Sequence, residues 1–155
     1  MSMRTKAVLV TVAVAIPAFL LVGFFFPPPP GPGPSSGQLP FFVVMDALDS
    51  LLLGAGIAFI AFGWSAVRRV AVASRAYAFA IYGALAWLMV SWYPHIGLHM
   101  SSFGSSFFGV LVIDYVFHVP LFIAAMVLIW GFVGMLRNRS IDVHTVVTEG
   151  ELSAR

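Results

Sequence analysis

Residues 107–136 read FFGVLVIDYVFHVPLFIAAMVLIWGFVGML, with one acid (Asp114), one histidine (His118) and neither Lys nor Arg. A bilayer's hydrocarbon core is about 30 Å thick and is crossed by about 20 apolar residues at 1.5 Å each. This run is therefore long enough to span it with tilt or with ends that project beyond the hydrocarbon.

Three more runs of the same kind lie upstream, at about 7–26, 41–67 and 76–93. Composition agrees. Hydrophobic residues make up 61% of the 155-residue chain and charged residues 9%, with a mean hydropathy of +1.00. A soluble domain carries about a quarter charged residues, so the expected class is all-α: a four-transmembrane-helix bundle over residues 1–136, followed by a polar tail at 137–155. There is no cysteine, which removes disulfides, thiolate metal sites, iron–sulfur clusters and cysteine nucleophiles. No Rossmann glycine pattern, nucleotide loop or Ser/His/Asp arrangement is present, and the tail is too short for a soluble catalytic domain. The net charge of +2 reflects basic residues at membrane edges and does not imply nucleic acid as a partner.

The separators fit the spans. Pro27 to Pro30, then Gly31, Pro32, Gly33 and Pro34, exclude helix and predict an extended spacer. A Gly- and Ser-rich stretch over 94–106 joins the third and fourth runs. Every Lys and Arg falls on one side: Arg4 and Lys6, then Arg68, Arg69 and Arg75, then Arg137, Arg139 and Arg155. Loops 27–40 and 94–106 contain none, so the positive-inside rule predicts cytoplasmic termini in a multi-pass protein of the plasma membrane. Trp92 and Tyr93 fall at the outer interface, and Trp64 and Tyr77 near the inner one. The first run also has the make-up of a signal peptide, but it ends Phe24, Phe25, Phe26, Pro27 without a small-residue cleavage site, and reads as an uncleaved anchor.

Outside the tail the chain holds six Asp and His residues: Asp46, Asp49, His95, His99, Asp114 and His118. All lie toward the outer side. Asp46 and Asp49 are i and i+3, Asp114 and His118 are i and i+4, and His95 and His99 are i and i+4 if helix continues past Pro94; each pair then shares a helix face. A charged group in a span costs at least ~2.5 kcal/mol, so such groups turn inward and pair. Convergence of the three pairs on one buried polar site is the economical expectation. Pro120, in mid-helix, frees the carbonyl of Val116 beside His118 and predicts a bend.

Four uses of such a site are open. Asp and His suit copper, zinc or iron; Asp114, His118, His95 and His99 would ligate, Asp46 and Asp49 would orient them, and Met45 and Met100 would offer soft sulfur that favours copper. Two histidines on facing helices could hold haem b, though three carboxylates nearby count against it. Asp/His chains also relay protons, which would suit a homodimeric proton-coupled transporter, although the inner half lacks polar groups to complete a path. Lastly, the pairs could simply tie helices together, at only about 0.6 kcal/mol each.

The Asp114-x-x-x-His118 pair resembles part of the copper site in the integral C subunit of copper membrane monooxygenases. The resemblance covers five residues, and the further histidine of such a site has no match after His118. It implies a copper ligand role for Asp114 and His118. Size, short loops and the lack of a soluble domain suggest a subunit or accessory protein of a larger membrane complex, a redox or monooxygenase assembly first, with other subunits or further copies as partners. Elsewhere, Gly54, Gly56, Ala76, Ala80 and Ala84 are expected to serve close helix packing. Met89, Met126 and Met135 read as apolar filling, and His144 as a solvated tail residue. Residues 143–148 alternate enough to pair with a partner's sheet edge.

Overall fold

The computed structural model describes the backbone of residues 1–71 and 74–153 and the side chains of 1–71 and 74–136. Among these the chain is helical, with no strand. Four helices are long and apolar enough to cross a membrane: Met3–Leu20, Leu39–Phe62, Arg75–Met100 and Phe107–Leu136.

The first span is α1 (Met3–Leu20), continued after a break at Leu21 by the short α2 (Val22–Phe25). Ser2 caps its start, accepting from the Thr5 N–H at 3.1 Å. It stops where Pro27 withdraws its donor. The second span is α3 (Leu39–Phe62), shorter than the expected 41–67. Helix breaks at Gly63, where the Phe59 ring fills the space a Cβ would need, and resumes as α4 (Trp64–Val70).

The third span, α5 (Arg75–Met100), starts at a Ser74 cap and does not end at 93 as the sequence suggested. It runs through Pro94 for nearly two further turns. A proline here forfeits one backbone bond, whereas stopping would strip a whole turn of partners inside an apolar medium. The fourth span comprises α6 (Phe107–Ile113), a π-helical turn (Asp114–His118) and α7 (Val119–Ser153). The π turn meets the expectation of a distortion next to Pro120: regular pairing is already given up there, so the missing proline N–H costs little. Helix also covers 143–148 in this single chain; the side chain of His144 lies outside the described residues.

The spans pack in sequence order, α1 on α3, α3 on α5 and α5 on α7, with α5 as the element that meets both the second and the fourth. Small residues allow it. A Cβ on Gly54 would strike the Thr11 backbone of α1, and one on Gly56 would strike Met89 and Val90 of α5. Ala84 is buried as expected, but Ala78, and not Ala76, is the other alanine closed off on α5.

Three tyrosines of α5 then fasten it to every other span. Tyr77 donates to the Gly131 carbonyl (2.6 Å), Tyr82 to that of Ile60 (2.5 Å) and Tyr93 to that of Ala18 (2.7 Å). Sequence reading placed Tyr77 and Tyr93 only in the interfacial belt.

The helix contacts make a paired prediction. Gly54→Leu should lower the thermal midpoint of detergent-solubilised protein, at a cost of about 1–3 kcal/mol for overpacking. Gly83→Leu should leave it unchanged, since no atom lies within 4 Å of a Cβ there.

Candidate metal centre

His95 and His99 stand one turn apart near the C-terminal end of α5, a consequence of helix continuing past Pro94. His118 closes the π turn of the fourth span and faces them. The three rings meet edge to face or tilted, with centroids 4.7 Å apart for His95–His118, 4.8 Å for His95–His99 and 5.8 Å for His99–His118. One nitrogen from each lies within 4.8 Å of the other two, an arrangement that could hold a metal ion.

Nitrogens bound to zinc at 2.0–2.1 Å in tetrahedral geometry are about 3.3 Å apart. Small ring rotations would therefore close the trio onto an ion.

His95 sits at the centre, 8% exposed, stacked on Phe117 at 5.4 Å and edge-on to Trp92 at 6.0 Å. Its Nε2 is buried with no hydrogen-bond partner. An unmet buried polar atom costs about 1–3 kcal/mol, and this one is the lone unsatisfied nitrogen among the described side chains.

Asp114 takes a different part from the one the sequence suggested. Its Oδ1 lies 3.0 Å from His118 Nδ1, and it is not one of the converging trio. A carboxylate accepting from Nδ1–H sets the ring's tautomer and leaves the Nε2 lone pair free to bind a metal. The Asp114–His118 pair is the only carboxylate contact of a basic side chain within 4 Å among the described residues. The regular i, i+4 relation that suggested it is here carried by a π turn.

The three polar pairs do not converge on one site. Asp46 and Asp49 lie on the other side of α5, lining a cavity of about 560 Å³ with Tyr93, Ile96, Gly97 and Met100. Helix geometry explains it: residues 93, 96, 97 and 100 share one face, while His95 is about 200° around from Tyr93 at 100° per residue. The helices α3 and α7 each pack on α5 and have no substantial contact with each other. Met100 thus belongs with the two acids, and Met45 is not among the cavity's lining residues.

Trp92 stands edge-on to the His95 ring at 6.0 Å, on the side of α5 that also turns toward Asp49. Nothing in the spacing pointed to that tryptophan.

Haem is poorly served by this geometry. Two axial imidazoles must stand on opposite faces of a macrocycle, whereas His95, His99 and His118 crowd together with Phe117 and Trp92 between the helices.

No family model matches the chain, and no curated protein or solved structure is similar to it. The likeness to copper monooxygenase subunits therefore remains confined to the five residues Asp114 to His118.

Replacing His95 by Phe keeps a ring to stack on Phe117 and removes the unmet nitrogen. His95→Phe should raise the thermal midpoint of metal-free protein, by up to the ~1–3 kcal/mol cost of that atom. A lowered midpoint would mean that the imidazole itself is structural.

Proposed function

We propose that this chain is a small integral membrane protein that binds one transition-metal ion at His95, His99 and His118, in the outer half of the bilayer. Asp114 orients His118. The observation that carries this reading is the buried, partnerless Nε2 of His95 inside a cluster of three imidazoles.

Copper is the ion we name. Imidazole suits copper, zinc and iron alike, and copper(II) stands highest in the general affinity order of divalent ions. The methionine sulfurs add no support for copper, since Met100 faces the other side of α5. Three protein ligands leave a position open for a further ligand, as in catalytic rather than structural metal sites.

The short loops between spans support a role as subunit or accessory protein of a larger membrane complex, a redox or monooxygenase-type assembly being the first choice. The orientation that completes the picture puts both termini in the cytoplasm and the metal toward the outside. Its support is the placement of every Lys and Arg.

Metal analysis of the purified full chain after separate loading with copper, zinc and iron tests the reading. We expect close to one copper per chain, near zero for His118→Ala, and a 10–100-fold weaker affinity for Asp114→Asn, the usual penalty for losing an orienting carboxylate. Occupancy should fall on acidification, because protons compete for the same nitrogens. Wild-type protein that retains no metal under any loading would overturn the proposal, and preferential retention of zinc would overturn the choice of copper.

The absence of native cysteine makes orientation testable too. Single cysteines replacing Ser36 or Ser105 should react with an impermeant maleimide on intact cells, and one replacing Ser74 only after permeabilisation.

A further inference from the structure

The cavity on the other side of α5 is unused by the metal reading. It lies under the proline-rich segment, between the end of the first span, the start of α3 and the outer part of α5. Its volume, about 560 Å³, is in the range of small-molecule sites, which run to about 300–1,000 Å³. The walls are mostly apolar and include the rings of Phe26, Phe42 and Tyr93. Phe26 and Tyr93 meet edge to face at 5.5 Å, and Tyr93 is held in place by its bond to the Ala18 carbonyl.

Two carboxylates enter this apolar space from one face of α3. Asp49 is 5% exposed, and Asp46 stands a turn away. Neither forms an ion pair among the described residues. Basic residues are remote from them: Arg75 begins α5, and Tyr93 is about 27 Å further along at 1.5 Å per residue. Arg4 and Lys6 likewise lie at the opposite end of α1 from Phe26. The carboxylates of the cavity thus have no counter-charge among the described residues, and buried charges are ordinarily paired.

We propose that the cavity binds an organic ammonium ion, with Asp46 and Asp49 as counter-ions and the aromatic rings around its alkyl groups. The shape decides against a bare metal ion. Hard cations need six or more oxygen ligands at short range, whereas two carboxylates in a wide apolar chamber suit a bulky cation that aromatic faces attract. This inference is independent of the metal site, which occupies the opposite side of α5.

The test is calorimetric titration of the full chain in a neutral maltoside detergent. Benzyltrimethylammonium is the probe and benzyl alcohol its uncharged control. Wild-type protein should bind the ammonium and not the alcohol, and Asp46→Asn/Asp49→Asn should weaken binding at least about tenfold. His118→Ala should bind the ammonium as wild type does. Helical circular dichroism and a single gel-filtration peak would establish that the double variant is folded, since removing two acids from a span does not threaten insertion.

Equal affinity for benzyl alcohol would reduce the cavity to an apolar pocket and overturn the proposal. So would ammonium binding that survives in the double Asn variant, as it would if both carboxyls were held protonated. Absence of any ammonium binding by wild type would overturn it as well. Loss of metal in His118→Ala with intact ammonium binding would separate the two sites; failure of the metal reading alone would leave this one standing.

Discussion

Hydrocarbon offers no partner to a polar group, and the architecture of this protein follows from that constraint. A hydroxyl, imidazole or carboxylate within a span is costly unless met by the protein or by a ligand, and among the described side chains only Ser50 Oγ and His95 Nε2 are buried without a partner. The tyrosines of α5 meet the demand by donating to carbonyls at Ala18, Ile60 and Gly131, one on each of the other spans. A carbonyl has two lone pairs, so these bonds are made without disturbing the helices that accept them. They turn α5 into the spine on which the others are ordered.

The same constraint sharpens the reading of the groups that are not met. His95 Nε2 is enclosed without a partner, and the acids Asp46 and Asp49 have no basic neighbour among the described residues. In water either would be unremarked. The two proposed sites start from these groups, one for a metal on one side of α5 and one for an ammonium on the other. Trp92, edge-on to the His95 ring, sits on α5 between the two.

Much of the fold was legible in the chain because it depends on quantities that sum along the sequence. The length of the four apolar runs set the number of spans, and Pro27 and Ser106 marked the end of the first and the start of the last. Gly54 and Gly56 were readable as packing positions because only their missing Cβ lets neighbouring backbones approach. The pairing of Asp114 with His118 was readable too, as it lies within one turn. Less visible was the helix beyond Pro94, because proline is a breaker in water and is tolerated inside a membrane. Without that extension His99 would not stand beside His95.

By itself, then, the sequence determined the class, the number of spans, the distribution of basic residues and the local pairing of polar groups, all of which act over a turn or along an axis. Only the tertiary structure decided which pairs meet. Spacing places Asp46 and Asp49, and likewise His95 and His99, at the same end of the bundle, but says nothing of the angle at which one helix presents itself to the next. Because α3 and α7 each pack on α5 and have no substantial contact with each other, the three pairs divide into two groups. That separation follows from the roughly 200° between Tyr93 and His95, which becomes meaningful only once each face of α5 has a neighbour.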